Sequence, residues 1–181
     1  AHTNTNTGIV YNLVYSVQVS YDDSGNQGTD LDRLTYTGGS YTDMDIVQTW
    51  RETYGADFVS LMIGTGGGLA WKLISSSGSA DYAYSVIGYP SFDSYTPAHE
   101  IGHNMGLSHA YDQNTQPGPT GGTIGTDAAG WHWHPTPGAD GYCSVMTYTG
   151  GSYFADGLDH VRVGLFSDPN ILDHGLPSGH I

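Results

Sequence analysis

One segment constrains this chain more than any other: His99-Glu100-Ile101-Gly102-His103-Asn104-Met105-Gly106-Leu107-Ser108-His109. Positions i and i+4 of a helix share a face, so His99 and His103 can present ring nitrogens to one metal ion. Glu100 then projects beside that ion, close enough to act on a bound water. Gly106 ends the helix in a conformation that costs glycine little, and the turned chain brings His109 round as third ligand. Three neutral imidazoles leave a fourth position open, which a catalytic zinc site needs and a structural one lacks. The helix start agrees, with Thr96 placed to cap it and Pro97 in the first turn, where no N–H is required.

Upstream, Leu13, Tyr15, Val17, Val19 and Tyr21 alternate with Ser16, Gln18 and Ser20, the period of a strand with one buried face. Asp22 to Gly28 has the composition of a turn. Thr42 with Asp45 suggests a capping box, Met44, Val47, Trp50 and Tyr54 follow at helical spacing, and Gly55 fits a C-cap. Phe58 to Ile63 reads as a strand buried on both faces. Gly64 to Gly68 reads as a flexible loop, Leu69 to Trp71 and Tyr82 to Tyr89 as further strands. From 110 to 142 the chain is rich in Gly, Pro, Thr and Asp with little periodicity, as expected of a long loop region around a site.

At 181 residues the expectation is one domain, 1–181. Four Lys and Arg against 18 Asp and Glu give a formal charge of −14, a surface that repels nucleic acid and anionic membrane. No apolar run approaches the ~20 residues of a membrane span. Residue 1 is Ala, which fits a chain from which a signal or pro-segment has been cut. Cys143 is the single cysteine, read as a small buried residue rather than a nucleophile.

The extended zinc motif is similar to that of the metzincin metallopeptidases, which carry a second signature, a tight turn with Met beneath the metal. Cys143-Ser144-Val145-Met146-Thr147-Tyr148 looks like that turn, with Met146 as a polarizable floor under the histidines. The segments Arg51 to Leu61, Gly68 to Trp71 and Phe166 to Asn170 resemble bacterial reprolysin-like peptidases, in order. The resemblance implies an α+β, zincin-like fold: a twisted mixed sheet with helices in an upper part, 1–109, a smaller loop-rich lower part, 110–181, and an active-site cleft between. It implies a secreted, zymogen-derived endopeptidase with one catalytic zinc ion, acting on protein or peptide. Glu100 would be the general base. Gly68, Leu69, Ala70 and Trp71 would form the edge strand that pairs with substrate.

Tyr148 stands two residues after Met146, as in the Met-x-Tyr pattern of astacins and serralysins. It reads either as a zinc-ligating or transition-state group, or as a packing residue. His132 and His134 would share one face of a strand, as half-exposed residues, a second metal site or a cleft lining; His160 has no partner the sequence names. Asp22-Asp23, Asp30-x-Asp32 and Asp43-x-Asp45 could donate oxygens to calcium or simply form a solvated acidic surface. The resemblance further implies helices before residue 8 and after residue 179 for which this chain has no sequence. A pro-segment fragment or second chain is therefore expected over Leu13, Tyr15, Val17 and Val19.

Overall fold

A computed structural model describes residues 7–119 and 123–180. The chain divides into two compact units, one made of Asn12–Leu73 with Ser77–Met105, the other built mainly of residues after Met105.

In the first unit, helix α1 (Gln27–Thr35) starts where the Asn26 side chain accepts a hydrogen bond from the Thr29 amide at 3.0 Å. Leu31 and Leu34, three residues apart, are buried on one side of it. Helix α2 (Asp45–Tyr54) buries Val47, follows the buried Met44, and ends at Gly55 with φ 62°. The capping box does not form: Thr42–Met44 is a 3₁₀ turn, and the Asp45 carboxylate instead accepts from the Gly38 amide.

Strands β1 (Val59–Ile63), β2 (Gly68–Ala70) and β3 (Tyr84–Gly88) form a mixed sheet in the order β1-β3-β2. β1 runs parallel to β3, and β2 antiparallel to it. β3 is buried along its whole length, whereas β1 alternates, with Leu61 and Ile63 inward and Met62 exposed. The two-sided burial expected for Phe58 to Ile63 is thus corrected; β1 is an edge strand with one covered face. Leu31, Leu34, Met44, Leu61, Tyr84 and Val86 belong to one core, each worth about 1.5–3 kcal/mol for an aliphatic side chain removed from water.

The strand expected over residues 13–21 is absent. These residues join no sheet, and Leu13 is 84% exposed. Alternation marks an apolar side but supplies no hydrogen-bonding partner, and the segment is held by side chains alone. Tyr15 stacks on Tyr54 with ring centroids 4.0 Å apart, and Val19 and Tyr21 pack against the core. The expectation placed on Ala1 to Thr7 lies outside the described residues apart from Thr7.

Helix α3 (Thr96–Asn104) packs on β2 and β3. Its cap position falls on Tyr95, so Thr96 is the first helical residue rather than the cap, and Pro97 lies in the first turn as expected. Asn104 fixes the far end, donating from Nδ2 to the Trp71 carbonyl at 2.8 Å and the Tyr84 carbonyl at 3.0 Å.

The second unit has a small mixed sheet, β4 (His132–Trp133), β5 (Gly141–Cys143) and β6 (His160–Arg162), in that order, and a hairpin of β7 (Leu172–Asp173) and β8 (Leu176–Pro177). Trp133, Cys143, Val145, Met146, Phe154 and Phe166 are buried there. Among the described residues no helix is long and apolar enough to cross a membrane.

Candidate metal centre

The helix delivers its two histidines as the spacing requires. His99 and His103 lie one turn apart on α3, their ring centroids 4.8 Å apart and their planes at 88°. Helix geometry ends at Asn104, and Gly106 takes φ 96°, where any other residue would be strained; a Cβ there would also lie 2.7 Å from Ile124. Beyond this reversal, each of His99, His103 and His109 offers a ring nitrogen within 4.8 Å of the others. His99 and His109 are buried and His103 half-buried.

The donor set suits a divalent cation of the zinc kind. His109 shows how a ring is prepared for that task. Its Nδ1 lies 3.0 Å from the Gln116 carbonyl oxygen, which can only accept, so Nδ1 carries the proton and Nε2 keeps its lone pair. Gly118 lets the chain pass close over this histidine, since a Cβ at 118 would sit 3.0 Å from the His109 amide nitrogen.

Glu100 is buried on α3. β2, an edge strand of its sheet, crosses directly over it: a Cβ on Gly68 would lie 2.6 Å from Glu100 Oε1. The space a side chain would take at 68 is therefore filled by the carboxylate. Trp71 is turned inward, its Nε1 donating to Thr35 Oγ1 at 2.8 Å, with Tyr36 and Tyr82 against its ring.

Tyr148 lies against His109, with ring centroids 4.6 Å apart, and its hydroxyl donates to Gln116 Oε1 at 3.2 Å. Gln116 thus holds one histidine by its backbone and this tyrosine by its side chain. It does so at φ 52°, a conformation rare for a residue with a Cβ. Sequence reasoning missed Gln116; it sits in a Pro- and Gly-rich loop and carries no motif.

Met146 lies in a buried turn, closed by the Thr147 amide on the Ser144 carbonyl at 3.1 Å. A Cβ on Gly130 would sit 2.9 Å from the Met146 carbonyl carbon, and the Gly130 amide bonds to the Ser108 carbonyl at 2.9 Å. Gly130 therefore spaces the turn from the chain that carries His109. Cys143, at the head of the turn, is a fully buried free thiol. Burial pushes its pKa up to about 11, against the lowering effect of Arg162, so it is no nucleophile.

Among the described residues the acidic pairs form no group of three that could hold a metal. Asp23 accepts the Gly64 amide, Asp43 pairs with Arg33, and Asp30 accepts from Tyr21 and the Ser24 amide. Among the described residues, the His, Cys, Asp and Glu groups that could hold a metal are His99, His103 and His109, and His132, His134 and His160.

This helix, return and histidine set are those of a zincin-type metallopeptidase. The comparison of sequences makes the class definite. Residues 2–110 match Metallo-peptidase family M12B, Reprolysin-like, and the chain belongs to that family. It is 32% identical over 98% of its length to a peptidyl-Asp metalloendopeptidase of Stenotrophomonas maltophilia, and 31% identical over 99% to one of Xanthomonas campestris pv. campestris. In each case it spans 39% of the relative. A peptidyl-Asp metalloendopeptidase of Pseudomonas aeruginosa is 35% identical over 56% of the chain and 19% of its own length.

Proposed function

We propose that this chain is the catalytic part of a secreted, zymogen-derived zinc endopeptidase, its two units serving as one domain over 1–181. The observation that carries the reading is the approach of the His99, His103 and His109 ring nitrogens to within 4.8 Å of one another, with Glu100 on the short helix that carries the first two. His99, His103 and His109 would hold one zinc ion, which on binding lowers the pKa of a water toward ~7 and polarises a carbonyl oxygen. Glu100 takes the proton of the attacking water and hands it to the leaving amine. Tyr148, its ring against His109, exchanges the hydrogen bond its hydroxyl gives Gln116 for one to the oxyanion. The free edge of β2, Gly68 to Ala70 with Trp71 following, pairs with an extended peptide, which lays that peptide across Glu100. Met146 forms the floor. The metzincin topology, with its active-site cleft, belongs to the same proposal.

The substrate is protein or peptide, and the names of the relatives make Asp-containing peptides the first to try. The exposed apolar residues Leu13 and Val17 support a covering pro-segment fragment or second chain. The experiment is hydrolysis of casein, gelatin and an Asp-containing peptide panel by the zinc-loaded chain, with Glu100→Ala as comparison. Peptide release that a chelator stops and zinc restores is expected, and Glu100→Ala should keep the zinc while losing about 10²–10⁴ in kcat. Intact substrates throughout would refute the reading, and near-normal turnover by Glu100→Ala would refute its role.

A further inference from the structure

A second set of histidines lies in the unit that follows Met105. The geometry points to a second metal centre there, a structural zinc site made by His132, His134 and His160, with Asp156 beside His134.

The sheet register brings these residues together. β5 lies between β4 and β6, with His132 opposite Cys143 and Gly141 opposite His160. His134, just past β4, also flanks Gly141, since a Cβ at 141 would sit 2.6 Å from its Nδ1. Rings on two strands separated by a third can meet only across a residue without a side chain, and position 141 supplies one.

Three ring nitrogens then face one another. His160 Nε2 lies 2.9 Å from His132 Nδ1 and 3.1 Å from His134 Nε2, and those two are 3.3 Å apart. Tetrahedral zinc with Zn–N bonds of ~2.0–2.1 Å needs ligand atoms about 3.3 Å apart.

The outer nitrogens decide where the protons are. His134 Nδ1 lies 2.9 Å from the Ala139 carbonyl oxygen, which cannot donate. His132 Nε2 lies 2.6 Å from the Asp112 carboxylate. In a neutral ring the outer nitrogen therefore carries the proton, and the inner nitrogens of His132 and His134 then turn lone pairs toward each other. One proton on His160 can serve a single edge of that triangle well; a cation at its centre serves all three corners. Carboxylate and carbonyl partners on the far side of histidines are the usual support of metal ligands.

His160 is buried, its Nδ1 has no hydrogen-bond partner, and its Nε2 contacts are the other two histidines. Without a cation that burial is poorly compensated. A carboxylate for the fourth corner stands beside one of the three, on the exposed Asp156 side chain. Asp156 Oδ2 lies 3.7 Å from His134 Nε2, while Oδ1 is held by the Leu158 amide at 3.1 Å. Phe154 covers the cluster, its ring centroid 4.6 Å from that of His132 and 4.5 Å from that of His160. Three imidazoles from β4, the residue that follows it and β6 clamp those strands together, and a movement of the Asp156 side chain closes the fourth position, so this centre is structural and takes no part in hydrolysis.

The test is zinc counted per folded full chain after desalting into metal-depleted buffer, in the wild type, His103→Ala, His160→Gln and the double variant. Two equivalents, one, one and none are expected. A single equivalent in the wild type that disappears in His103→Ala overturns the second centre. A single equivalent that survives in His103→Ala and disappears in His160→Gln keeps it and overturns the reading of the first. Should His160→Gln fail to fold, cadmium NMR of cadmium-loaded His103→Ala decides: one resonance in the range of nitrogen and oxygen ligation is expected, and no bound cadmium overturns the proposal.

Discussion

Replacing Gly68 by Ala tests the link between the edge strand and Glu100, the proposed general base, with one methyl group. The new Cβ would lie 2.6 Å from Glu100 Oε1, 2.7 Å from Cγ and 2.8 Å from Cδ. Ordinary van der Waals contact begins near 3.4 Å, so strand and carboxylate must separate by roughly 0.6–0.8 Å. Gly68 does not have a positive φ, so the backbone itself accepts Ala. Glu100 is buried and cannot swing clear into solvent. Displacement of ~1 Å at a reacting group costs about 10²-fold. A kcat lower by about 10- to 100-fold is expected, or about 1.4–2.7 kcal/mol of barrier. Zinc content and circular dichroism should be unchanged. The control is Gly66→Ala, in the preceding loop, where a Cβ would meet nothing closer than Ser91 Oγ at 3.7 Å; its kcat should be unaltered. Peptide hydrolysis at saturating substrate provides the measurement. A Gly68→Ala kcat within twofold of wild type would show that β2 and Glu100 are not coupled in this way.

Tyr148→Phe removes one hydroxyl, and kcat should fall about 10–1000-fold with little change in KM; unchanged kcat would make Tyr148 a packing residue against His109. The Cys143 thiol, raised to about 11 by burial, should resist alkylation at pH 8.5 in the folded protein and react at once in denaturant. Asp30 is fully buried, and although burial alone would raise its pKa, hydrogen bonds from Tyr21 and Ser24 outweigh it and hold the carboxyl below its usual range. Its contribution to stability is thus present above the ordinary carboxylate pKa and lost as pH falls through the lower folded value. Asp30→Asn should cost roughly 1–3 kcal/mol in urea unfolding at pH 7 and flatten the acid limb of the stability curve, and equal stability at pH 7 would contradict the assignment.

The chain was most legible where a local rule had a single geometric outcome. The i, i+4 spacing of His99 and His103, the reversal at Gly106 and the Gly55 cap each follow from backbone geometry a few residues long, and each is found. Helix α1 was passed over because Asp22 to Gly28 reads as a turn, yet Asn26 is the cap and Leu31 and Leu34 are the buried stripe. Its mean hydropathy is low, and Asp30 and Asp32 look like surface until Tyr21 is seen to close over Asp30. The strand expected at 13–21 failed for the opposite reason. Period-two alternation was real, but a strand is a property of two chains side by side, and nothing in one segment's sequence names its partner.

The same limit governs the two histidine clusters. His99, His103 and His109 fall within eleven residues, so one helix turn and the reversal at Gly106 suffice to assemble them. His132, His134 and His160 are drawn together by the order β4-β5-β6 and by Gly141, a residue without chemistry of its own that leaves room between two strands. Asp112 and Asp156 come from two further segments, and no spacing rule links them to the histidines. Gln116 shows the point at a single residue: its carbonyl sets the tautomer of His109 and its side chain receives the Tyr148 hydroxyl, both because of a left-handed backbone that its sequence does not announce. What a residue ligates can be read from its neighbours along the chain only when the chain itself makes the turn; where a sheet makes it, register decides, and register is a tertiary fact.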